Sequence, residues 1–157
     1  MNALFTPELV RIVDAFDSKN DCLDYMAKLL AGSGCLHFPD RYIAAVKGRE
    51  DIMSTGIGRG IAIPHARDLT VSCMKIAVCR IKTPLDYQSV DDQPVNLVFM
   101  IAVPQNSNQE YMRILRNLSE FLRQDENRAQ LLGANSDMEL FQYVYAMEDN
   151  ILSPTAD

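Results

Sequence analysis

The sequence predicts an α/β fold in one compact domain, and three observations predict it. Apolar residues recur at helical spacing in the first and last thirds of the chain. The middle third is rich in Val and Ile and holds the longest apolar run, Leu97 to Pro104. The chain has 157 residues, 48% of them apolar, which suits a single core. Helices first, strands in the middle and helices last give a layered architecture. The domain is expected to fill residues 1–149, with 150–157 as a frayed C-terminal tail.

Each element has its own signal. Over residues 4–16, Leu9, Ile12, Val13 and Phe16 fall at helical spacing and predict a helix. Ser18 opens a second helix with Leu23, Met26 and Leu30 on one face, and Asp21 stands at the capping-box position. Gly32-Ser-Gly34 ends it. Asp40 is expected to cap a third helix carrying Tyr42, Ile43 and Val46. Thr55 to Gly60 reads as a glycine-dense loop, and Ile61-Ala-Ile-Pro-His65 as a short apolar strand that His65 ends. Met74 to Ile81 alternates as a strand. Val95 to Val103 is nearly continuous in apolar character, which predicts a strand covered on both faces. Pro84, Asp91, Asp92 and Pro94 punctuate the connection between those two strands. Tyr111, Ile114, Leu115, Leu118, Phe121 and Leu122 form one helical stripe. A shorter piece, 127–132, stops at Gly133. Ser136 caps the last helix, with Glu139 at the capping-box position and Leu140, Phe141, Val144 and Met147 inward.

Charge and composition exclude several classes. Asp and Glu number 21 against 15 Lys and Arg, a net charge of −6, which argues against a general nucleic-acid binder. The four cysteines form no C-x-x-C pair, and only two histidines accompany them, so a structural zinc site has little support. Reduced thiols in a cytoplasmic protein are the expectation. Glu8 and Asp14 interrupt the N-terminal apolar segment, so it is no signal peptide. The Leu97–Pro104 run is far too short to insert into a bilayer.

One segment concentrates chemistry: Thr55-Gly-Ile-Gly-Arg-Gly-Ile-Ala-Ile-Pro-His-Ala-Arg67. Gly56, Gly58 and Gly60 are three of the chain's seven glycines. Glycine lets backbone amides face a ligand, and successive amides in a turn can cradle an anion. The spacing is neither a Walker loop nor a dinucleotide fingerprint. A tight turn is an equally good reading. His65 follows Pro64 directly, beside this loop. Neutral imidazole is a good nucleophile near neutral pH, and a phosphoryl group suits it as electrophile. Residues 41–70 hold Arg41, Lys47, Arg49, Arg59 and Arg67 against Glu50, Asp51 and Asp68, a basic excess that would suit a transferring phosphoryl group. On spacing alone, a hydrogen-bonded structural histidine is slightly the better reading of His65.

The sequence Gly56-Ile-Gly-Arg-Gly-Ile-Ala-Ile-Pro-His65, preceded by Arg49-Glu50, resembles the active-site region of a known family. This is the enzyme IIA domain of the phosphoenolpyruvate:sugar phosphotransferase system, of the fructose/mannitol/nitrogen-regulatory type. The resemblance extends through Pro84-Leu85-Asp86, Asp92-Gln-Pro-Val95 and Ser136-Asp-Met-Glu-Leu140, and covers roughly residues 5–148. It implies a mixed central β-sheet flanked by helices. It implies that His65 accepts a phosphoryl group from phospho-HPr or an HPr-like protein, with Gly56, Gly58 and Gly60 in the phosphoryl loop. It implies that Arg49 neutralises the phosphoryl oxygens. No cofactor or metal is expected. The recipient would be an enzyme IIB domain, or, in the nitrogen-regulatory branch, a regulatory target protein would sense the phosphorylation state. The family commonly carries a second active-site histidine where this chain has Tyr111. Tyrosine can donate a hydrogen bond but carries no positive charge.

Three functions follow. The first is a freestanding phosphocarrier-regulator of the nitrogen-regulatory type. The second is the IIA component of a fructose- or mannitol-type transporter. The third is an interaction module that keeps the fold without being phosphorylated, supported only by Tyr111. An independent hydrolase is weaker, since no nucleophile elbow accompanies His65 and Asp68. His37 matches no motif.

Overall fold

Six strands form one mixed sheet in a computed structural model that describes residues 3–153. The strands are β1 (Val10–Val13), β2 (Gly56–Gly58), β3 (Ile61–Ala62), β4 (His65–Asp68), β5 (Lys75–Leu85) and β6 (Val95–Pro104). The helices are α1 (Lys19–Gly32), α2 (Pro39–Ile52), α3 (Asn108–Arg123), α4 (Asp125–Leu132) and α5 (Asp137–Leu152). The order across the sheet is β1-β5-β6-β3-β2, and β4 also pairs with β6. Pairings β1/β5, β3/β6 and β4/β6 are parallel; β5/β6 and β2/β3 are antiparallel.

β6 organises both halves of the core. Side chains alternate across a strand. Leu97, Phe99, Ile101 and Val103 therefore pack into the layer that holds Ile114 and Leu118 of α3 and Leu140 and Val144 of α5. Val98, Met100 and Ala102 pack into the layer of Leu23 and Met26 from α1 and Val46 from α2. Helices thus cover both faces, as the apolar run predicts. The second layer lies over small residues, Ala62, Ala66, Ala77 and Ala102, which lets the helices approach the sheet closely.

Two helix starts follow their caps. Ser18 Oγ accepts from Asp21 N at 3.1 Å, and Ser136 Oγ accepts from Glu139 N at 3.1 Å. Glu139 Oε1 in turn accepts from Asn135 N at 2.9 Å. α2 differs from expectation: Phe38 is its N-cap without a side-chain bond, Pro39 sits in the first turn, and Asp40 lies inside the helix. Proline's fixed φ and missing N–H suit that position.

The N-terminal segment is a correction. The predicted helix over 4–16 is a short 3-10 helix (Pro7–Leu9) leading into β1. Val10, Ile12 and Val13 are β-branched, and β5 offers an open parallel edge, so tertiary pairing overrides the helical spacing. Acidic residues of α5 hold this segment in place. Glu148 Oε1 accepts from Leu4 N at 2.7 Å and Phe5 N at 3.0 Å, and Asp137 Oδ1 accepts from Ile12 N at 2.7 Å.

The expected frayed tail is a second correction. α5 runs through Leu152, and Ile151 is fully buried. Asn117 Nδ2 donates to the carbonyls of Ile151 and Ser153, both at 2.9 Å, which ties the helix end to α3. The rest of that tail, 154–157, lies outside the described residues. Pro84, expected in a connection, lies within β5 where the β5/β6 register shifts between Arg80 and Leu85. Among the described residues no helix is long and apolar enough to cross a membrane.

The Ser136 cap gives a test of this frame. Ser136→Ala should lower stability by about 1 kcal/mol, the usual cost of an N-cap lost to Ala. Urea unfolding would read this as a lower midpoint with an unchanged slope. No shift would mean that the Glu139–Asn135 bond carries the helix start alone.

Candidate functional site

His65 owes its position to a broken strand. β3 and β4 pair with β6 in one register, Ile61 opposite Leu97 and His65 opposite Ile101. They are two halves of one strand interrupted at Ile63-Pro64. Pro64 has no N–H, but its carbonyl still accepts from Ile101 N at 3.0 Å, so β6 stays paired. His65 therefore opens β4 rather than ending β3, which corrects the sequence reading. Along this line Ile61 and Ile63 are buried, His65 is half-buried and Arg67 is exposed. The strand carries alternate side chains from the core out to solvent, and His65 stands at the crossing.

The ring orientation follows from one hydrogen bond. His65 Nδ1 lies 2.9 Å from the Ile63 carbonyl oxygen. A carbonyl only accepts, so Nδ1 carries the proton and donates, and Nε2 holds the free lone pair.

The Ile63 carbonyl is available for a specific reason. Ile63 N donates to Thr55 O at 3.0 Å, as an antiparallel pair would. The return bond, from Thr55 N to Ile63 O, is diverted. Thr55 N instead donates to the Glu50 carboxylate, at 3.2 and 3.1 Å. Glu50 is buried and also accepts from the Thr55 hydroxyl and from Tyr87 Oη at 3.1 Å. Lys19 Nζ completes the set at 2.6 Å from Glu50 and sits 4.4 Å from the Tyr87 ring centroid. A buried carboxylate needs such partners. The sequence reading counted Glu50 only as a charge and did not single out Lys19 or Tyr87; three residues this far apart leave no local signal.

Tyr111 lies beside the imidazole, and the Arg49 charge acts on it. Arg49 lies in the last turn of α2 and donates to Met53 O at 2.9 Å, which ties its guanidinium to the helix C-terminus. The Tyr111 ring lies 5.4 Å from the His65 ring, tilted by 44°. Tyr111 is also buried on the apolar stripe of α3. Arg67 shares the strand face of His65 and donates to Asn108 Oδ1 at 2.7 Å, at the first turn of α3. Exposed apolar residues follow two of these in the chain: Ile52 and Met53 after Arg49, and Met112 after Tyr111.

The glycines lie elsewhere. Gly58, Arg59 and Gly60 all have positive φ and form the turn of the β2–β3 hairpin. A Cβ on Gly60 would meet Asn96 Oδ1 at 2.7 Å, and one on Gly58 would meet Asp91 Oδ2 at 3.1 Å. Asp91 Oδ2 also accepts from Arg59 N at 3.0 Å. The turn adjoins Leu122 and Arg123, at the far end of α3 from Tyr111. Eleven residues of helix separate Tyr111 from Leu122, about 16 Å. Gly58 and Gly60 thus serve the turn and its close approach to the 91–96 segment, and the structure does not bring them beside His65. Gly56 packs against Ser89, and its carbonyl accepts from Val90 N at 3.0 Å.

The electrostatics keep His65 neutral. Burial lowers its pKa from the usual 6.5, the largest effect, and the Arg49 charge lowers it further. The Ile63 carbonyl and the Glu50 charge act the other way. Burial raises the Tyr111 pKa, against the pull of Arg49 and Arg67, so its hydroxyl keeps its proton at neutral pH. The site therefore presents a neutral nucleophilic nitrogen, a neutral phenol and two guanidinium groups.

The family model described as "Phosphoenolpyruvate-dependent sugar phosphotransferase system, EIIA 2" matches residues 3–147. The chain belongs to this family. The chain is similar to the PTS system fructose-specific EIIABC component of Bacillus subtilis, 40% identical over 134 residues. That match covers 85% of this chain and 21% of the longer relative. A nitrogen regulatory protein homolog from Haemophilus influenzae is 33% identical over 151 residues, covering 88% of this chain and 87% of that one. Among solved structures, nitrogen regulatory protein IIA-Ntr from Neisseria meningitidis superposes with a TM-score of 0.81 at 27% identity. The alignment covers 90% of this chain and 96% of that one. This EIIA protein thus has relatives in both the sugar-transport and the nitrogen-regulatory branches.

The lowered pKa of His65 has a testable consequence. Below about pH 6.5 the unfolded chain takes up a proton at this residue that the native state refuses. Stability should fall as pH drops through that value, and level off once native His65 also protonates. NMR titration of the His65 ring in the folded protein should give a midpoint below 6.5. A midpoint above it would mean that Glu50 and the Ile63 carbonyl outweigh burial.

Proposed function

We propose that this EIIA protein is a phosphocarrier in which His65 Nε2 accepts a phosphoryl group from a phosphohistidine on HPr or an HPr-like protein. In this reading it works as a nitrogen-regulatory component, whose phosphorylation state is sensed by a regulatory target protein. The observation that carries the proposal is the Nδ1–Ile63 contact at 2.9 Å, which leaves Nε2 as the free lone pair.

The step is a simple exchange. The P–N bond of the donor phosphohistidine breaks, and its electron pair returns to the donor ring. A P–Nε2 bond forms on His65, whose Nδ1 keeps its proton. The His65 ring becomes cationic, and the Ile63 carbonyl and Glu50 are the two groups that favour that charge. Arg49 faces the transferred group and offsets the charge on its oxygens. The energy already resides in the donor bond, so no metal or cofactor enters. The exposed apolar residues Ile52, Met53 and Met112 suit docking of a protein donor.

A second reading has its own support. The 40% identity to a fructose-specific EIIABC component favours a IIA role that passes the group to an enzyme IIB domain. The two readings share the first step and differ in the recipient.

Incubation with phosphoenolpyruvate, enzyme I and HPr should add one acid-labile phosphoryl group, read by intact mass. His65→Ala should add none and keep the fold, because its half-buried ring contributes little packing. No gain in the unaltered protein, with HPr or an HPr-like donor, would favour the unphosphorylated interaction module. Chasing the phosphorylated protein with a IIB domain separates the two recipient readings.

Arg49→Ala should slow phosphorylation by roughly 10²–10³-fold, the usual loss for one preorganised electrostatic partner. Stopped-flow quench at saturating phospho-HPr measures it. An unchanged rate would remove Arg49 from the transfer step.

A further inference from the structure

We propose that Arg67 is a second catalytic cation of this site, held against the transferring phosphoryl group by Asn108. The proposal rests on the reading of His65 as phosphoacceptor and adds a residue to it.

The geometry is a closed circuit of four side chains. His65 and Arg67 are two residues apart on β4, so they project from the same face of the strand. Arg67 Nη1 donates to Asn108 Oδ1 at 2.7 Å. Asn108 and Tyr111 are three residues apart on α3, so they neighbour each other on one helix face. The Tyr111 ring then returns to His65, with ring centroids 5.4 Å apart. A guanidinium fixed at Asn108 is thereby fixed near Tyr111, on the strand face that His65 shares. The electrostatics agree, because both Arg49 and Arg67 act on the Tyr111 hydroxyl.

The charge balance gives the circuit its purpose. A phosphoryl group on nitrogen carries about two negative charges near neutral pH. Arg49 answers one. Tyr111 stays a neutral phenol. Arg67 adds a second guanidinium for the three phosphoryl oxygens in transit, and arginine's planar fork of five donors matches those oxygens while one donor holds Asn108. Arg67 is exposed, so its pull is weaker than that of a buried donor and matters most when a docked partner excludes water.

The test is transfer from phospho-HPr, with kcat and KM separated. Arg67→Gln should lower kcat by about tenfold to a hundredfold with little change in KM, short of a full buried-donor loss. Arg67→Lys should recover most of the rate, because it keeps the charge. Asn108→Ala should fall between, since the cation remains but is no longer held. Tyr111→His in the Arg67→Gln background should restore rate below the histidine's own titration, by returning a cation to the same place. An unchanged kcat in Arg67→Gln, or an effect on KM alone, would overturn the proposal and make Arg67 a partner contact. An unaltered protein that gains no phosphoryl group would instead overturn the phosphocarrier reading, whatever Arg67 does.

Discussion

The diversion of one backbone N–H sets the geometry of the site. Thr55 N would complete the β2–β3 ladder by donating to Ile63 O; it donates to Glu50 instead. Ile63 O is thereby left to take the His65 Nδ1 proton. Lys19, Tyr87 and the Thr55 hydroxyl hold the Glu50 carboxylate in place. Removing one partner of a buried ion pair usually costs about 3–5 kcal/mol, so this arrangement resists rearrangement. The tautomer of the imidazole therefore depends on a carboxylate that is five residues before Thr55 and shields no solvent-facing surface. Arg49 precedes Glu50 directly, so the same anchor fixes the end of α2 that carries the guanidinium.

Much of the fold was legible because single local rules decide it. The run from Val95 to Val103 reads as a strand buried on both faces, and β6 is that strand. Ser18 and Ser136 cap helices because one side-chain oxygen and one nearby N–H settle each start. The misreadings arise where a distant partner decides. β1 forms because β5 offers it an edge, and four residues cannot announce that in advance. Asn150 to Leu152 remain helical because Asn117, on another helix, takes up the terminal carbonyls.

The site divides in the same way. The His65 and Tyr111 rings lie side by side, and the Arg49 charge acts on the imidazole. The glycines do not join them, because glycine spacing reports backbone conformation and says nothing of what the turn faces. Arg67 was readable in principle. The alternation Ile61, Ile63, His65, Arg67 puts four side chains on one face, running from apolar to charged, and an interrupted strand keeps that alternation across Pro64.

Tyr111 belongs to the core and also lies against His65, and the two placements constrain each other. Its ring must be apolar enough to join the α3 stripe and close enough to His65 to limit the imidazole's freedom. The same burial keeps the phenol protonated beside the imidazole. A neutral phenol leaves the site's positive charge on two arginines, each tied to a carbonyl or an amide rather than to a carboxylate. On the proposed reading, phosphorylation places a dianion between those guanidinium groups. The charge between Arg49 and Arg67 then becomes less positive, because the added dianion is only partly offset by the cationic His65 ring. A partner with an acidic contact would be held by the unphosphorylated face and released by the phosphorylated one.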